Sequence, residues 1–193
     1  MSDVKTLYKE DFVAWSKEQA EALRSAARGS SNQKLDWENL AEEIASLGAS
    51  ERRELHSQVQ RIIHHLLKLE YSTATEARRG WIETIDDARS VIELVLEASP
   101  SLGPHLAAAI AAEMGRGARK AIRDLDRYNE LGPATVTRLR ASTYTLEQIF
   151  GDWFPPGSRA AAAERRIAMI TSGATAGRRR LIYPAWRLVS GAL

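Results

Sequence analysis

The sequence predicts an all-α protein: a compact helical bundle of five main helices plus a short sixth over residues 6–155, followed by a basic C-terminal tail, residues 156–193. Three observations lead to this prediction. Apolar residues recur with helical periodicity from residue 8 to residue 130. Residue types that begin helices precede several of these segments. No alternating strand pattern of convincing length is present.

The first helix is predicted to begin after Asp11, a residue type that caps helix N-termini, and to end near Gly29. The polar residues that follow Gly29 predict a loop. The second helix begins at Asp36, with Leu35 and Leu40 spaced as a hydrophobic staple, and ends at Gly48, a residue typical of helix ends. Apolar residues on one arc predict its buried face: Trp37, Leu40, Ala41, Ile44 and Leu47.

The third helix is predicted to start at once, with Ser50 as its N-cap, and to run to about Tyr71. A linker this short between two helices predicts an antiparallel hairpin of the second and third helices. The predicted apolar face of the third helix comprises Leu55, Val59, Ile62, Ile63, Leu66 and Leu67.

The fourth helix is predicted within residues 81–99 and the fifth within residues 101–130. Gly115 and Gly117 lie inside the fifth helix, where glycine permits close helix packing or marks a kink. The short sixth helix spans residues 145–150, where a threonine and a glutamine have the spacing of a capping box.

The composition excludes several classes of protein and site. There is no cysteine, so disulfides, thiolate metal sites and thiol nucleophiles are excluded. No run of about 18 apolar residues spans a bilayer, and the N-terminus lacks the pattern of a secretory signal. We therefore expect a cytoplasmic protein without a transmembrane segment.

Charge divides the chain into two parts. Residues 156–193 contain seven arginines and one acid, Glu164, a net charge of +6. Because the whole chain carries +2, residues 1–155 carry −4. The tail is a candidate nucleic-acid-binding segment, because arginines bind phosphates and aromatic rings stack on bases. The candidate residues are Arg178, Arg179, Arg180 and Trp186.

Several ungapped runs resemble a known family. The clearest are Asp36–Ile44, Ser50–Leu55, Ser99–Leu102 and Tyr144–Ile149. Over about residues 5–155 the chain resembles the bacterial family catalogued as domain of unknown function number 29. The resemblance implies a helical cytoplasmic fold. It implies no activity, cofactor or catalytic residue, and the tail is a departure from the family pattern.

The candidates for a catalytic or metal site are Asp36, Glu43 and His65. At about 100° per residue, the acids of the second helix do not converge, and only Asp36 and Glu43 flank its apolar arc. Across the predicted hairpin, His65 would meet either acid as a metal ligand or a general base. The alternative is a cap at Asp36, an ion pair at Glu43 and a structural hydrogen bond at His65. No metal site or cofactor is predicted from these residues.

Three functions remain open. The first is a non-enzymatic helical module that binds another protein, favoured because the motifs describe caps and apolar faces. The second is an enzyme or metal-binding site at the hairpin. The third is nucleic-acid binding through the tail. Nucleophile elbows, phosphate loops and dinucleotide-binding glycine motifs are absent from the sequence.

Overall fold

A computed structural model describes residues 4–29, 35–156 and 158. No strand occurs among these residues, and the predicted all-α fold is confirmed. Apart from Pro156 and Ser158, the predicted basic tail lies outside the described residues. The helices are α1 (Val4–Glu10), α2 (Phe12–Arg28), α3 (Trp37–Tyr71), α4 (Arg78–Ala98), α5 (Leu106–Arg127), α6 (Pro133–Ala141) and α7 (Leu146–Phe150), with a 3₁₀ helix, Pro100–His105, before α5.

The long helix α3 is the centre of the fold, and it packs against α2, α4 and α5. Its C-terminal half supplies most of the core, and the predicted face from Leu55 to Leu67 is confirmed as fully buried. The buried residues around it come from the later helices: Ile85, Ile92, Ala121, Leu125, Leu139 and Ile149. Burial of these apolar side chains is the main force that holds the bundle together.

The predicted hairpin of the second and third helices is wrong. Residues 37–71 form one uninterrupted helix of 35 residues, so Gly48 and Ser50 are interior helical residues. Gly48 is buried, and a Cβ atom on it would lie 2.2 Å from Oγ of Ser16. The glycine is therefore needed for the close approach of α2 to α3, which compensates its low helix propensity.

The helix caps predicted at Asp11, Asp36 and Thr145 are confirmed, whereas the cap predicted at Ser50 is wrong because Ser50 lies inside α3. Asp11 accepts a hydrogen bond from the backbone N–H of Ala14 at 2.9 Å, and Asp36 accepts one from Asn39 at 3.2 Å. Thr145 and Gln148 form the reciprocal capping box of α7. These local interactions satisfy backbone donors that a helix start leaves unpaired.

The N-terminal half of α3 extends beyond the core. The first α3 residue of the core cluster is Leu55, and residues 37–54 precede it over a length of about 27 Å. The principal neighbour of α2 is α3, and α2 also contacts α1 and the 3₁₀ helix. We refer to α2 and residues 37–54 as the arm. Two helices cannot bury apolar side chains on all sides, so the arm leaves part of its surface uncovered.

Arg89 attaches the C-terminal helical turn to the bundle. Its side chain is 7% exposed and donates hydrogen bonds to the carbonyl oxygens of Ile149 at 2.9 Å, Gln148 at 3.0 Å and Trp153 at 2.8 Å. The guanidinium also lies 4.8 Å from the ring centroid of Phe154. One buried cation thus satisfies two carbonyls at the end of α7 and a third in the segment that follows it.

None of the helices in the described part of the chain has the length and apolar character required to cross a membrane.

Candidate functional site

The three candidate residues Asp36, Glu43 and His65 do not come together. Asp36 caps α3, Glu43 lies on the arm, and His65 lies in the core half of the same helix. Along one straight helix, the 22 residues between Glu43 and His65 correspond to about 33 Å. The predicted site at the hairpin is therefore contradicted, because the turn that would have folded His65 back onto the acids does not exist.

The histidine that pairs with a carboxylate is not His65 but its neighbour His64. Its Nε2 lies 2.8 Å from Oδ2 of Asp124 on α5, and Nζ of Lys68 lies 3.6 Å from the same oxygen. The rings of His64 and His65 lie 4.5 Å apart between centroids. A glycine on α5, Gly117, allows this close crossing, since a Cβ atom there would lie 2.5 Å from Cγ2 of Ile63.

Burial holds both imidazoles in the neutral form at neutral pH. Desolvation lowers the pKa of His64 to about 4, although Asp124 acts in the opposite direction. Desolvation and the neighbouring His64 lower the pKa of His65 to about 3. Because a carboxylate only accepts hydrogen bonds, the neutral His64 ring donates from Nε2 to Asp124.

A histidine–aspartate pair resembles part of a general-base arrangement, but this pair lacks access to a substrate. The side chain of His64 is 4% exposed, and Nδ1 of each histidine is buried without a hydrogen-bond partner among the described residues. In the described ranges, no group of three or more histidine and acidic side chains is placed to hold a metal ion. The cluster joins α3 to α5.

Sequence reasoning missed this pair, because His64 and Asp124 lie 60 residues apart. The available signal was the position of each polar residue within an apolar helical stripe. His64 stands among buried isoleucines and leucines, and Asp124 lies between Ile122 and Leu125. Polar groups at such positions need partners, but the sequence alone does not identify which ones.

A second feature is the exposed apolar surface of the arm. The prediction that Leu40 and Leu47 are buried is wrong: they are 42% and 44% exposed. The small residues Ala41 and Gly48 of the same segment are buried instead, and Gly48 lies against Ser16 of α2. We define the apolar face of the arm as Trp37, Leu40, Ile44 and Leu47, of which Trp37 and Ile44 are partly exposed.

These four residues have the 3-4-3 spacing of the a and d positions of a coiled coil. The next a and d positions are occupied by Glu51 and Glu54, so the apolar face ends after two heptads. Glu43 is exposed at the side of the face, and Asp36 stands at its N-terminal end. The apolar face is therefore bordered by carboxylates and available to a partner.

The predicted nucleic-acid-binding residues lie outside the described residues, so the structure gives no position for them: Arg178, Arg179, Arg180 and Trp186.

Comparisons with known proteins agree with the fold. A family model described as "Domain of unknown function DUF29" matches residues 7–154. No curated protein matches the chain. A crystal structure of an α-helical protein of unknown function from Rhodospirillum rubrum is similar, with a TM-score of 0.58 and 21% sequence identity. The similarity covers 81% of this chain and 96% of that one, and at this identity it shows the fold alone.

Proposed function

The chain belongs to the DUF29 family, and on this premise we propose that it is a non-enzymatic protein-interaction module whose apolar face binds an amphipathic helix of another protein. The observation that carries the proposal is the exposure of Leu40 and Leu47, at 42% and 44%, on an otherwise regular heptad pattern. Leucines at d positions of a coiled coil are normally covered by a partner helix.

The geometry of the apolar face limits the partner. Two heptads, about 14 residues, correspond to about 21 Å of helix. A partner helix with apolar residues at a and d positions over this length would cover Leu40, Leu47 and the exposed parts of Trp37 and Ile44. This is the helix-in-groove type of recognition, in which a few apolar anchors supply most of the affinity.

The charges around the apolar face indicate which charged residues a partner helix should carry beside its apolar positions. Asp36 and Glu43 flank one side of it and Glu51 and Glu54 follow its C-terminal end, which favours a partner with lysine or arginine at the flanking e and g positions. A second copy of this chain would place acid against acid at the end of the seam if the helices ran parallel, which disfavours such self-pairing. We therefore commit to a basic amphipathic helix from a different protein.

We prefer the interaction proposal to an enzymatic one because the histidine that pairs with a carboxylate, His64, is buried, whereas the leucines of the apolar face are exposed. In the His64–Asp124 pair, the strongest arrangement of titratable groups around the candidate His65, the histidine that would act as a base is only 4% exposed. Exposed leucines, in contrast, need no rearrangement of the fold before they contact a partner.

Fluorescence anisotropy with a labelled synthetic peptide tests the proposal. The probe is a helix of about 21 residues, or three heptads, with leucine at a and d and lysine at e and g. The full chain is expected to bind it saturably and to bind poorly a matched peptide with glutamate at e and g. The double variant L40S/L47S is expected to lose binding, because it removes the two exposed d-position anchors.

The matched control is L94S, the same substitution at a leucine that is 64% exposed on α4. This variant should bind the lysine peptide like the unmodified chain. Equal binding by L40S/L47S, or no binding of the lysine peptide, would contradict the proposal. Dimerisation of the chain that is lost in L40S/L47S would identify a second copy as the occupant and overturn the proposed partner. Circular dichroism checks that each variant remains folded.

As part of this proposal we assign the protein to the cytoplasm of a bacterium and treat residues 6–155 as its helical domain. A chain without cysteine is compatible with a reducing compartment. Subcellular fractionation of a bacterial host of the gene is the direct test, and recovery in the periplasmic fraction would overturn the assignment.

Nucleic-acid binding by the tail stays a prediction. The test is retention of the protein on immobilised nucleic acid, which should decrease with salt concentration and be lost on deletion of residues 156–193.

A further inference from the structure

A basic cleft lies on the side of α3 opposite the apolar face. It has a volume of about 550 Å³ and is formed by α3 and α5. Its lining includes Arg52, Arg53 and His56 from α3 and Glu113 and Arg116 from α5. At 100° per residue, Arg52 and His56 lie about 120–160° around α3 from Leu40, so a helix bound to the apolar face would leave the cleft open.

One buried carboxylate organises this lining. Glu113 is 2% exposed, and its Oε1 accepts a hydrogen bond from Nη1 of Arg116 at 2.6 Å. The same oxygen lies 2.9 Å from Nδ1 of His56. The charge of Glu113 is therefore paired within the protein, and these contacts hold the side chains of Arg116 and His56 at the cleft wall.

The remaining two arginines carry unneutralised charge. Arg52 and Arg53 are exposed, and neither has an acidic side chain within ion-pair distance in the described part of the chain. Three guanidinium groups thus share a cleft with a single carboxylate. Like charges that line one cleft repel one another, and an anion bound between them offsets this repulsion.

The chemistry of the lining selects the ligand. Guanidinium groups bind phosphate through paired hydrogen bonds, and Ser57 and Gln60 add neutral polar groups to the same cleft. The volume lies within the range of small-molecule sites, but the charged lining is unlike that of a site for an apolar ligand. We propose that the basic cleft binds a small molecule that carries two linked phosphate groups, through Arg52, Arg53 and Arg116.

A neighbouring groove extends the same positive surface. It has a volume of about 370 Å³, lies between α2 and α3, and shares Arg52 with the basic cleft. Lys17 and Arg24 of α2 line it together with one acid, Glu21. The organic part of a phosphorylated ligand could therefore lie in this polar groove, along the arm. The net charge of −4 over residues 1–155 opposes the long phosphate backbone of a nucleic acid, which needs a larger basic surface.

Isothermal titration calorimetry of the full chain with inorganic pyrophosphate tests this proposal, at an ionic strength of about 0.15 M. Saturable binding of one equivalent is expected. The variants R52A/R53A and R116A should each weaken it by about tenfold or more, which is a loss of about 1.4 kcal/mol. The matched control is R61A, an exposed arginine of the same helix that does not line the cleft, and it should bind like the unmodified chain.

Three results would overturn the proposal. The first is the absence of saturable heat with pyrophosphate. The second is binding that survives R52A/R53A and disappears in the triple variant R178A/R179A/R180A, which would place the anion on the tail. The third is binding of single-stranded oligothymidylate that depends on Arg52 and Arg53 and greatly exceeds the binding of pyrophosphate, which would identify a nucleic acid as the ligand. Arg52, Arg53, Arg61 and Arg116 have exposed side chains, so circular dichroism is expected to remain unchanged in the variants at these positions.

Discussion

Nε2 of His64 donates a hydrogen bond to Oδ2 of Asp124 across 2.8 Å, and this bond joins the central helix α3 to α5. The bond forms with a neutral ring, because burial lowers the pKa of His64 to about 4. The two residues lie 60 positions apart in the chain, so the bond exists only in the folded protein.

The buried histidines predict a loss of stability in mild acid. Between pH 6.5 and about pH 4, unfolded His64 takes up a proton that folded His64 does not, so the free energy of unfolding falls as the pH falls. Below about pH 4 the folded ring also protonates, and the contribution of His64 levels off. His65, with a pKa lowered to about 3, extends the decrease. The loss from His64 is on the order of 2–3 kcal/mol.

Urea unfolding over this pH range measures the effect. The variant H64Q keeps a donor for Asp124 and does not titrate, so its decrease should be shallower than that of the unmodified chain. The exposed His105 provides the control, and H105Q should reproduce the unmodified pH dependence. Parallel curves for H64Q and the unmodified chain would refute the assignment to His64.

The contact between Gly48 and Ser16 predicts that G48A destabilises the protein by about 1–3 kcal/mol, even though alanine is the better helix former. The reason is the 2.2 Å separation between the new Cβ and Oγ of Ser16. Chemical denaturation measures the change. The double variant G48A/S16A removes that oxygen and should recover part of the loss.

Gly115 is the matched control for this substitution. It also lies inside a long helix, but the nearest atom to an added Cβ is Nη1 of Arg119 at 3.5 Å, the end of a flexible side chain. G115A is therefore expected to stabilise the chain by up to about 1 kcal/mol. A stabilising G48A would show that α2 and α3 do not approach as closely as described.

We expect the two capping aspartates, Asp36 and Asp11, to contribute different amounts to the stability of the protein. Asp36 is exposed and accepts bonds from its own helix, so D36A should cost about 1 kcal/mol. Asp11 caps α2 and also accepts bonds from the backbone N–H and the hydroxyl of Ser101, at 2.6 and 2.9 Å. D11A should therefore cost about 2–3 kcal/mol, because it also breaks a contact across 90 residues. Comparable thermal unfolding midpoints for the two variants would contradict this difference.

We expect replacement of Arg89 to cause a large loss of stability that is concentrated around α7. R89M leaves the carbonyls of Gln148, Ile149 and Trp153 without their donor, which should cost about 3 kcal/mol or more. Hydrogen exchange of amides near Ile149 should accelerate more than that of α3 amides. R79A, which removes an exposed ion pair with Glu83, is the control and should change stability by less than about 0.5 kcal/mol. Uniform acceleration throughout the bundle would argue against a local anchor.

The parts of the fold that local rules determine were predictable from the sequence. Asp11, Asp36 and Thr145 cap helices through residues three positions away, and periodicity identified the core face that begins at Leu55. Gly48 was misinterpreted because a glycine at a helix end and a glycine at a close helix contact have the same local signature. Only the position of Ser16 distinguishes the two cases.

The candidate site was harder to predict, for a different reason. Periodicity places Leu40 and Leu47 on one side of a helix but does not state whether another helix covers that side. The partner of a buried polar residue is equally invisible when, as with His64 and Asp124, it comes from a distant helix. Sequence reasoning thus identified the helical segment, but neither the exposure of Leu40 and Leu47 nor the pairing of His64 with Asp124.

The continuity of α3 has a mechanical consequence. Trp37 at the tip of the arm and His64 in the core belong to one stiff rod, and Trp37 lies about 27 Å from Leu55, where the rod leaves the core. A tilt of about 10° around Leu55 would move Trp37 by about 5 Å and His64, about 14 Å from Leu55 on the other side, by about 2 Å. Because α3 is continuous, any tilt about Leu55 moves the tip of the arm about twice as far as it moves His64, in the opposite direction.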